Sequence, residues 1–132
     1  MIKKIHIIED NVNILGGLQA KFSSLGMEVS ISDGSGDIEH IMRAIIKIKP
    51  HYIILDLILP LVEGLEILQS IKANENIHSI PVFVFSDFSE NDLKNKCLNL
   101  GADYYFVKNE FNLDQFVDKV IRIINNREKL AK

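Results

Sequence analysis

Short apolar segments alternate five times with longer segments of helical periodicity, and this alternation limits the fold more than any other feature of the sequence. The strand candidates are residues 5–8, 28–31, 52–55, 82–85 and 104–107. Most of them are apolar on both faces, and strands of that kind belong to parallel sheets that helices cover on both sides. The sequence therefore predicts an α/β fold with a five-stranded parallel sheet between two layers of helices.

The intervening helix candidates are residues 12–25, 38–48, 65–73, 91–100 and 113–127. Several carry signals at their ends. Asn11 and Asn112 stand where N-caps of the first and last helices are expected, and Gly26 and Gly101 follow the first and fourth helices.

Length and composition exclude several classes of protein. A chain of 132 residues suits one domain, residues 1–132, with a core of its own. A net charge of −3 argues against direct binding to nucleic acid, which would favour a basic surface. No apolar run approaches the roughly 20 residues of a membrane-spanning helix.

The single cysteine and the chain ends lead to an expected location. Cys97 has no partner for an internal disulfide, which fits a reducing compartment. The first residues lack the features of a signal peptide, so we expect a cytoplasmic protein. No linker rich in proline or glycine follows the last helix, and this slightly favours a stand-alone domain.

Polar side chains follow four of the five strand candidates. Glu9 and Asp10 follow the first, Asp56 the third, Ser86 the fourth and Lys108 the fifth. Open α/β sheets bind ligands outside the carboxyl ends of their strands, so we expect these residues to share one edge. Asp56 matters most, because a carboxylate behind an apolar run is rarely buried without a partner or a metal ion.

The chemistry of this group indicates a phosphoryl site that contains a divalent cation. Three carboxylates with one ammonium suit Mg²⁺, which prefers oxygen ligands and binds alongside phosphates. Asp56 is then a candidate metal ligand, a candidate nucleophile, or both. Cation and lysine would offset the charge that develops at phosphorus, and Ser86 can donate a hydrogen bond to a phosphoryl oxygen.

These residues resemble the motifs of response-regulator receiver domains of two-component signalling, and the resemblance spans essentially the whole chain. Its motifs are Glu9-Asp10, the segment 55–60 (LDLILP) with Gly64, Ser86, the segment 101–103 (GAD), and Tyr105 with Lys108. The resemblance implies the flavodoxin-like doubly wound sheet with strand order 2-1-3-4-5.

The resemblance also implies roles for individual residues. Asp56 would accept a phosphoryl group from the phosphohistidine of a histidine kinase or phosphotransfer protein, or from acetyl phosphate. Asp10, Asp56 and the backbone carbonyl of Ile58 would coordinate Mg²⁺, and Glu9 would assist through a bound water. Lys108 would pair with the phosphoryl oxygens.

The family's switch would move Ser86 toward the phosphoryl group while Tyr105 turns inward. That change would alter the face formed by helix 4, strand 5 and helix 5, and with it the affinity for an output protein or effector domain. The resemblance leaves open a homodimer through the same face. It implies a protein that phosphorylates and dephosphorylates itself, not an enzyme that turns over an external substrate.

Three positions differ from the usual pattern of the family. Asn109 follows Lys108 where a proline in a cis peptide bond is usual, and we expect a trans bond here because a non-proline cis bond costs about 2.5–4 kcal/mol. Asp87 stands in place of a small residue, and its charge can repel a phosphoryl group or add a metal ligand. Glu9 replaces the commoner aspartate and lengthens the reach of the carboxylate.

Other interpretations remain open at this stage. A pseudo-receiver that binds proteins without being phosphorylated is the first alternative, and an aspartyl-nucleophile phosphatase is the second. The phosphatase is disfavoured because Ile58 stands where an acid–base aspartate would be expected. Ser86 can also act as a helix cap, and Tyr105 is equally compatible with a packed core aromatic.

Overall fold

In the computed structural model of the chain, which describes residues 2–131, five parallel strands form one sheet. The strands are β1 (Lys4–Ile8), β2 (Glu28–Ser32), β3 (Tyr52–Leu55), β4 (Val82–Ser86) and β5 (Tyr104–Val107). Their spatial order is β2-β1-β3-β4-β5, and every neighbouring pair is parallel. The predicted doubly wound order 2-1-3-4-5 is confirmed.

The helices alternate with the strands as predicted. They are α1 (Val12–Ser24), α2 (Ile38–Ile48), α3 (Gly64–Ala73), α4 (Asn91–Asn99) and α5 (Leu113–Leu130), with a 3₁₀ turn at Lys108–Glu110. None of the helices in the described part of the chain has both the length and the apolar character needed to cross a membrane.

Local signals in the sequence account for the ends of α1 and α5. The side chain of Asn11 accepts a hydrogen bond from the backbone N–H of Ile14, which caps α1. Asn112 and Gln115 form a reciprocal capping box at the start of α5. Both predicted N-caps are therefore confirmed.

The C-terminus of α5 lies three residues beyond the predicted end at residue 127. Side chains at the predicted end and just beyond it contact the sheet: Arg127 donates a hydrogen bond to the hydroxyl of Tyr104, and Glu128 accepts one from Tyr52. Glu128 also pairs with Lys3 at 2.9 Å. These tertiary contacts extend the helix past the point where the sequence pattern fades.

The core has two layers, one on each face of the sheet. Helices α1 and α5 cover one face, where Phe85 and Phe116 stack with their ring centroids 3.8 Å apart. Helices α2, α3 and α4 cover the other face, around residues such as Ile53 and Val84. With both faces covered, the carboxyl edge of the sheet is left for polar side chains.

One polar residue lies inside the second layer. His6 is 1% exposed, and the alternation of side chains along β1 places it on the same face as Ile8. Its Nδ1 shares a 2.7 Å hydrogen bond with the Oγ of Ser30, while Nε2 has no hydrogen-bond partner among the described residues. Burial lowers the pKa of His6 to about 4.

This burial makes the stability of the protein depend on pH. Between about pH 6.5 and pH 4 the unfolded chain binds a proton at His6 and the folded chain does not, so the free energy of unfolding decreases as the pH falls. We expect a loss of about 1.4 kcal/mol per pH unit from this residue. Urea unfolding at several pH values, compared between the wild type and His6→Val, measures the contribution of His6 to this pH dependence.

In His6→Val the free energy of unfolding should decrease less steeply as the pH falls from about 6.5 to about 4, because the contribution of His6 is absent. An exposed histidine provides the matched control, and His78→Asn should retain the wild-type dependence. Equal slopes in the wild type and His6→Val would contradict the assignment of acid sensitivity to His6.

Candidate functional site

The predicted polar residues meet at the carboxyl edge of the sheet. Glu9 and Asp10 follow β1, Asp56 follows β3, Ser86 is the last residue of β4, and Lys108 follows β5. The strand order changes direction between β1 and β3, and ligand crevices of open α/β sheets form at such a point. An opening of about 320 Å³ at this edge is lined by Asp10, Asn11, Ile14, Asp56, Ile58, Asp87 and Lys108.

Three carboxylates form the centre of the site. Glu9, Asp10 and Asp56 each offer an oxygen that lies within 4.8 Å of an oxygen of the other two. Asp56 is 4% exposed and Glu9 is 2% exposed, whereas Asp10 is open to solvent. The group therefore has a buried floor and one exposed ligand at its mouth.

Lys108 brings the opposite charge to these carboxylates. Its Nζ lies 2.7 Å from Oε1 of Glu9 and 3.5 Å from Oδ2 of Asp56. The same ammonium lies 5.8 Å from the ring centroid of Phe85. The lysine side chain is only 10% exposed, so these contacts are poorly screened by water.

The pKa of Asp56 reflects its burial and the charge beside it. Burial, and next the neighbouring charge of Glu9, raise the pKa of Asp56 to about 8, although Lys108 opposes the increase. Burial lowers the pKa of Lys108, but its hydrogen bond to Glu9 and the charge of Asp56 outweigh that effect, so the pKa is raised. A second cation at this position would stabilise the ionised form of Asp56.

The loop between β3 and α3 holds Asp56 and Ile58 beside each other. The backbone N–H of Ile58 lies 3.4 Å from Oδ1 of Asp56, and Ile58 forms an isolated antiparallel bridge with Glu63. The N–H of Gly64 then donates to the carbonyl of Leu57 at 2.8 Å. This small closed loop fixes the backbone around the carboxylate.

Ser86 and Tyr105 both contact the backbone of Phe88 in the loop after β4. The Oγ of Ser86 accepts a hydrogen bond from the N–H of Phe88 at 3.1 Å, and the hydroxyl of Tyr105 donates to the carbonyl of Phe88 at 2.7 Å. Ser86 does not cap α4, whose N-cap residue Glu90 makes no side-chain capping bond. The structure thus links the two predicted switch residues through the backbone of one residue, Phe88.

Sequence reasoning brought together the correct side chains but missed two features. It did not find the contact between Lys108 and Glu9, which is shorter than the contact between Lys108 and Asp56. It also missed Phe88, which takes part through backbone atoms and so leaves no side-chain signal in the sequence. Asp87 lines the opening as an exposed residue.

The peptide bond between Lys108 and Asn109 has the expected trans geometry, since no cis bond occurs within the described residues. Lys108 instead begins a 3₁₀ turn that ends at Glu110. The lysine still reaches the carboxylates, so a cis proline is not needed to place the ammonium at this edge.

The donor set fits a small divalent cation. All three candidate side-chain ligands, Glu9, Asp10 and Asp56, offer carboxylate oxygens, which Mg²⁺ prefers, and the site opens to solvent on one side. Burial and the charge of Glu9 together raise the pKa of Asp56 despite the ammonium of Lys108, so a bound cation would favour the ionised carboxylate.

The fold and this arrangement agree with a family match. Residues 5–121 match the family described as the response regulator receiver domain, and the chain belongs to that family. It is therefore a signalling module of the two-component type and not a classical enzyme. Receiver domains generally bind Mg²⁺ at an acidic pocket.

Individual relatives support the same assignment. The transcriptional regulatory protein PrrA of Mycobacterium leprae is 29% identical over 129 residues, which cover 97% of this chain and 52% of PrrA. This chain thus spans about half the length of that curated relative.

Solved structures share the fold closely. A CheY-like receiver domain protein of Methanospirillum hungatei superposes with a TM-score of 0.83 at 22% identity, covering 98% of both chains. The phosphorylated cyanobacterial phytochrome response regulator RcpA superposes with a TM-score of 0.76 at 28% identity, covering 93% of this chain and 91% of RcpA.

Gly64 provides a test of how tightly the β3–α3 loop is packed. A methyl group at this position would lie 2.5 Å from the Cα of Leu57 and closer still to the carbonyl oxygen of Asp56. Both neighbours are backbone atoms that cannot turn aside, so we expect Gly64→Ala to lower the free energy of unfolding by about 1–3 kcal/mol. Urea unfolding measures the loss.

Gly16 in α1 is the matched control. A methyl group there meets nothing within 4 Å, so Gly16→Ala should leave stability unchanged or raise it by up to about 1 kcal/mol. A gain of stability in both variants would contradict the close packing of backbone atoms around Gly64.

Proposed function

We propose that this receiver domain accepts a phosphoryl group on Asp56 in a Mg²⁺-dependent reaction and thereby changes its affinity for a partner. One observation carries the proposal. The buried carboxylate of Asp56 lies within 4.8 Å of the carboxylates of Glu9 and Asp10, and 3.5 Å from the ammonium of Lys108. A buried acceptor with a metal-binding group and a cation beside it is suited to attack on phosphorus.

The reaction transfers the phosphoryl group from the donor to Asp56, so that one bond to phosphorus replaces another. A carboxylate oxygen of Asp56 forms a bond to phosphorus while the bond from phosphorus to the donor breaks. That bond is the P–N bond of a phosphohistidine on a histidine kinase or phosphotransfer protein, or a P–O bond of acetyl phosphate. The leaving group departs with the electron pair, and Asp56 becomes an acyl phosphate.

The surrounding residues would position and stabilise the transferred group. Asp10, Asp56 and the backbone carbonyl of Ile58 would hold Mg²⁺, with Glu9 reaching it through a bound water. Bound at this edge, the cation would supply positive charge to offset that of the phosphoryl oxygens. Lys108 would pair with a phosphoryl oxygen as well, because its ammonium already faces the acceptor.

Ser86 and Tyr105 would carry the change to the surface. The hydroxyl of Ser86 now accepts a hydrogen bond from the N–H of Phe88. Its O–H would donate to a phosphoryl oxygen on Asp56, and movement of Ser86 toward that oxygen would disturb the bond to Phe88. Tyr105 donates to the carbonyl of the same residue, Phe88, so movement of this loop would change the contacts of Tyr105. The affected surface is formed by α4, β5 and α5, where an output protein, an effector domain or a second copy of the chain would bind.

The relatives are consistent with this proposal. RcpA has been crystallised in a phosphorylated form, and PrrA is a transcriptional regulatory protein. The chain would both accept the phosphoryl group and promote its hydrolysis, without turnover of an external substrate. The strongest competing proposal is a pseudo-receiver that binds partners without being phosphorylated.

Acetyl phosphate distinguishes these two functions. Incubation of the protein with acetyl phosphate and Mg²⁺ should add the mass of one phosphoryl group, detected by intact-protein mass spectrometry. We expect the adduct to be absent in Asp56→Asn and strongly reduced by EDTA or by Asp10→Ala, because the cation site is lost.

Asp92→Asn, which replaces an exposed carboxylate on α4, is the control and should be phosphorylated normally. An adduct that persists in Asp56→Asn would exclude Asp56 as the acceptor. If neither acetyl phosphate nor a cognate kinase phosphorylates the wild type, the domain is a pseudo-receiver.

Asp87 should slow the reaction through its charge. It lines the opening to Asp56, where a negative side chain repels an anionic phosphodonor. We expect Asp87→Ala to increase the rate of phosphorylation by acetyl phosphate about threefold to tenfold at low ionic strength. The rate is measured by the time course of the mass adduct.

High salt should reduce this difference because ions screen an exposed charge. Asp92→Ala, which removes a negative charge outside the opening, should leave the rate nearly unchanged. A rate for Asp87→Ala that equals the wild-type rate at low salt would show that the charge does not limit access.

A further inference from the structure

Both carboxylate oxygens of Glu9 are already bound by groups of the protein. Oε1 lies 2.7 Å from Nζ of Lys108, and Oε2 accepts a hydrogen bond from the backbone N–H of Asn11 at 3.1 Å. Glu9 is 2% exposed, so water cannot readily replace either contact. The carboxylate is therefore a fixed link between the end of β1, the start of α1 and the end of β5.

The contact with Glu9 also decides where Lys108 points. The ammonium lies 2.7 Å from Glu9 and 3.5 Å from Asp56, so its closest partner is not the acceptor carboxylate. The extra methylene of glutamate brings the carboxylate to the lysine, and an aspartate at position 9 would be shorter by that group. Which carboxylate Lys108 contacts most closely thus depends on the length of the side chain at position 9.

From this geometry, and resting on the function proposed above, we infer that Glu9 is a positioning residue for which Lys108 and Mg²⁺ compete. Both cations need the negative charge of the same buried carboxylate. Binding of Mg²⁺ then weakens the contact between Glu9 and Lys108, and the released ammonium is available to a phosphoryl oxygen. By thermodynamic linkage, the contact with Lys108 weakens Mg²⁺ binding by the same factor.

This competition would give the site an order of events. Without Mg²⁺, Lys108 is held on Glu9 at 2.7 Å and lies farther from Asp56, at 3.5 Å. With Mg²⁺, the lysine moves to the place where the phosphoryl group arrives. Glu9 would therefore couple occupation of the metal site to the readiness of Lys108, while lowering the affinity for the metal.

A double-mutant cycle on Mg²⁺ affinity tests the competition without any phosphodonor. Mg²⁺ is titrated into the wild type, Glu9→Asp, Lys108→Met and the double variant, and dissociation constants are read from backbone amide shifts by NMR. In the wild-type background, Lys108→Met should tighten Mg²⁺ binding about tenfold. In the Glu9→Asp background the same substitution should have an effect of less than about threefold, because the shorter side chain no longer holds the lysine.

Lys72→Met is the matched control for loss of a positive charge. Lys72 pairs with Asp103 at 3.3 Å at the opposite edge of the sheet, so this variant should bind Mg²⁺ as the wild type does. The cycle isolates the role of Glu9, since simple repulsion between Lys108 and Mg²⁺ would be similar with either acidic residue at position 9.

A second measurement takes its decisive result from the unsubstituted chain. The side-chain NMR signals of Lys108 should shift on saturation of the wild type with Mg²⁺, and they should shift much less in Glu9→Asp where that variant folds. Equal effects of Lys108→Met in both backgrounds, or unchanged Lys108 signals in the wild type, would overturn the inference while leaving the phosphoacceptor proposal intact. Failure of all four proteins to bind Mg²⁺ would overturn both.

Discussion

A parallel sheet that helices cover on both faces leaves its polar chemistry at one edge, and the rest of this structure depends on that constraint. The strands are too apolar to tolerate charges along their length, as the buried runs of β3 and β4 show. Charged side chains can therefore follow β1, β3 and β5 only where the strands end. Because these strands are parallel and adjacent through β4, their ends bring Glu9, Asp56 and Lys108 together.

The balance of charge at the carboxyl edge of the sheet explains why a positively charged ligand would be stabilised there. Asp56 and Glu9 are both buried, and one ammonium serves them both. Burial and the charge of Glu9 raise the pKa of Asp56, so the protein alone does not fully stabilise its ionised form. A divalent cation would improve this balance at the position where the proposed phosphoryl transfer needs it.

Much of this could be predicted from the sequence, because the relevant signals are local. Asn11 and Asn112 cap the helices that they precede, and the residues after the strands meet at one edge. The strand order came from the resemblance to a known family, since short strands alone do not encode their neighbours. These parts rest on hydrogen bonds and periodicity over a few residues.

The remaining features depend on tertiary contacts. Lys108 lies closer to Glu9 than to Asp56, a contact that joins the ends of strands far apart in the sequence. The extension of α5 beyond residue 127 coincides with contacts of Glu128 with Tyr52 and Lys3. The bonds of Ser86 to the N–H of Phe88 and of Tyr105 to its carbonyl involve backbone atoms, which the sequence does not distinguish.

The central claim is that the Asp56 carboxylate itself receives the phosphoryl group. Reductive trapping tests it most directly, because borohydride converts an aspartyl phosphate to homoserine and leaves a free aspartate unchanged. After incubation with acetyl phosphate and Mg²⁺, followed by borohydride and peptide mapping, the account predicts homoserine at position 56 and aspartate at positions 10 and 87. Homoserine at another position, or at none while the intact protein carries a phosphoryl group, would contradict it.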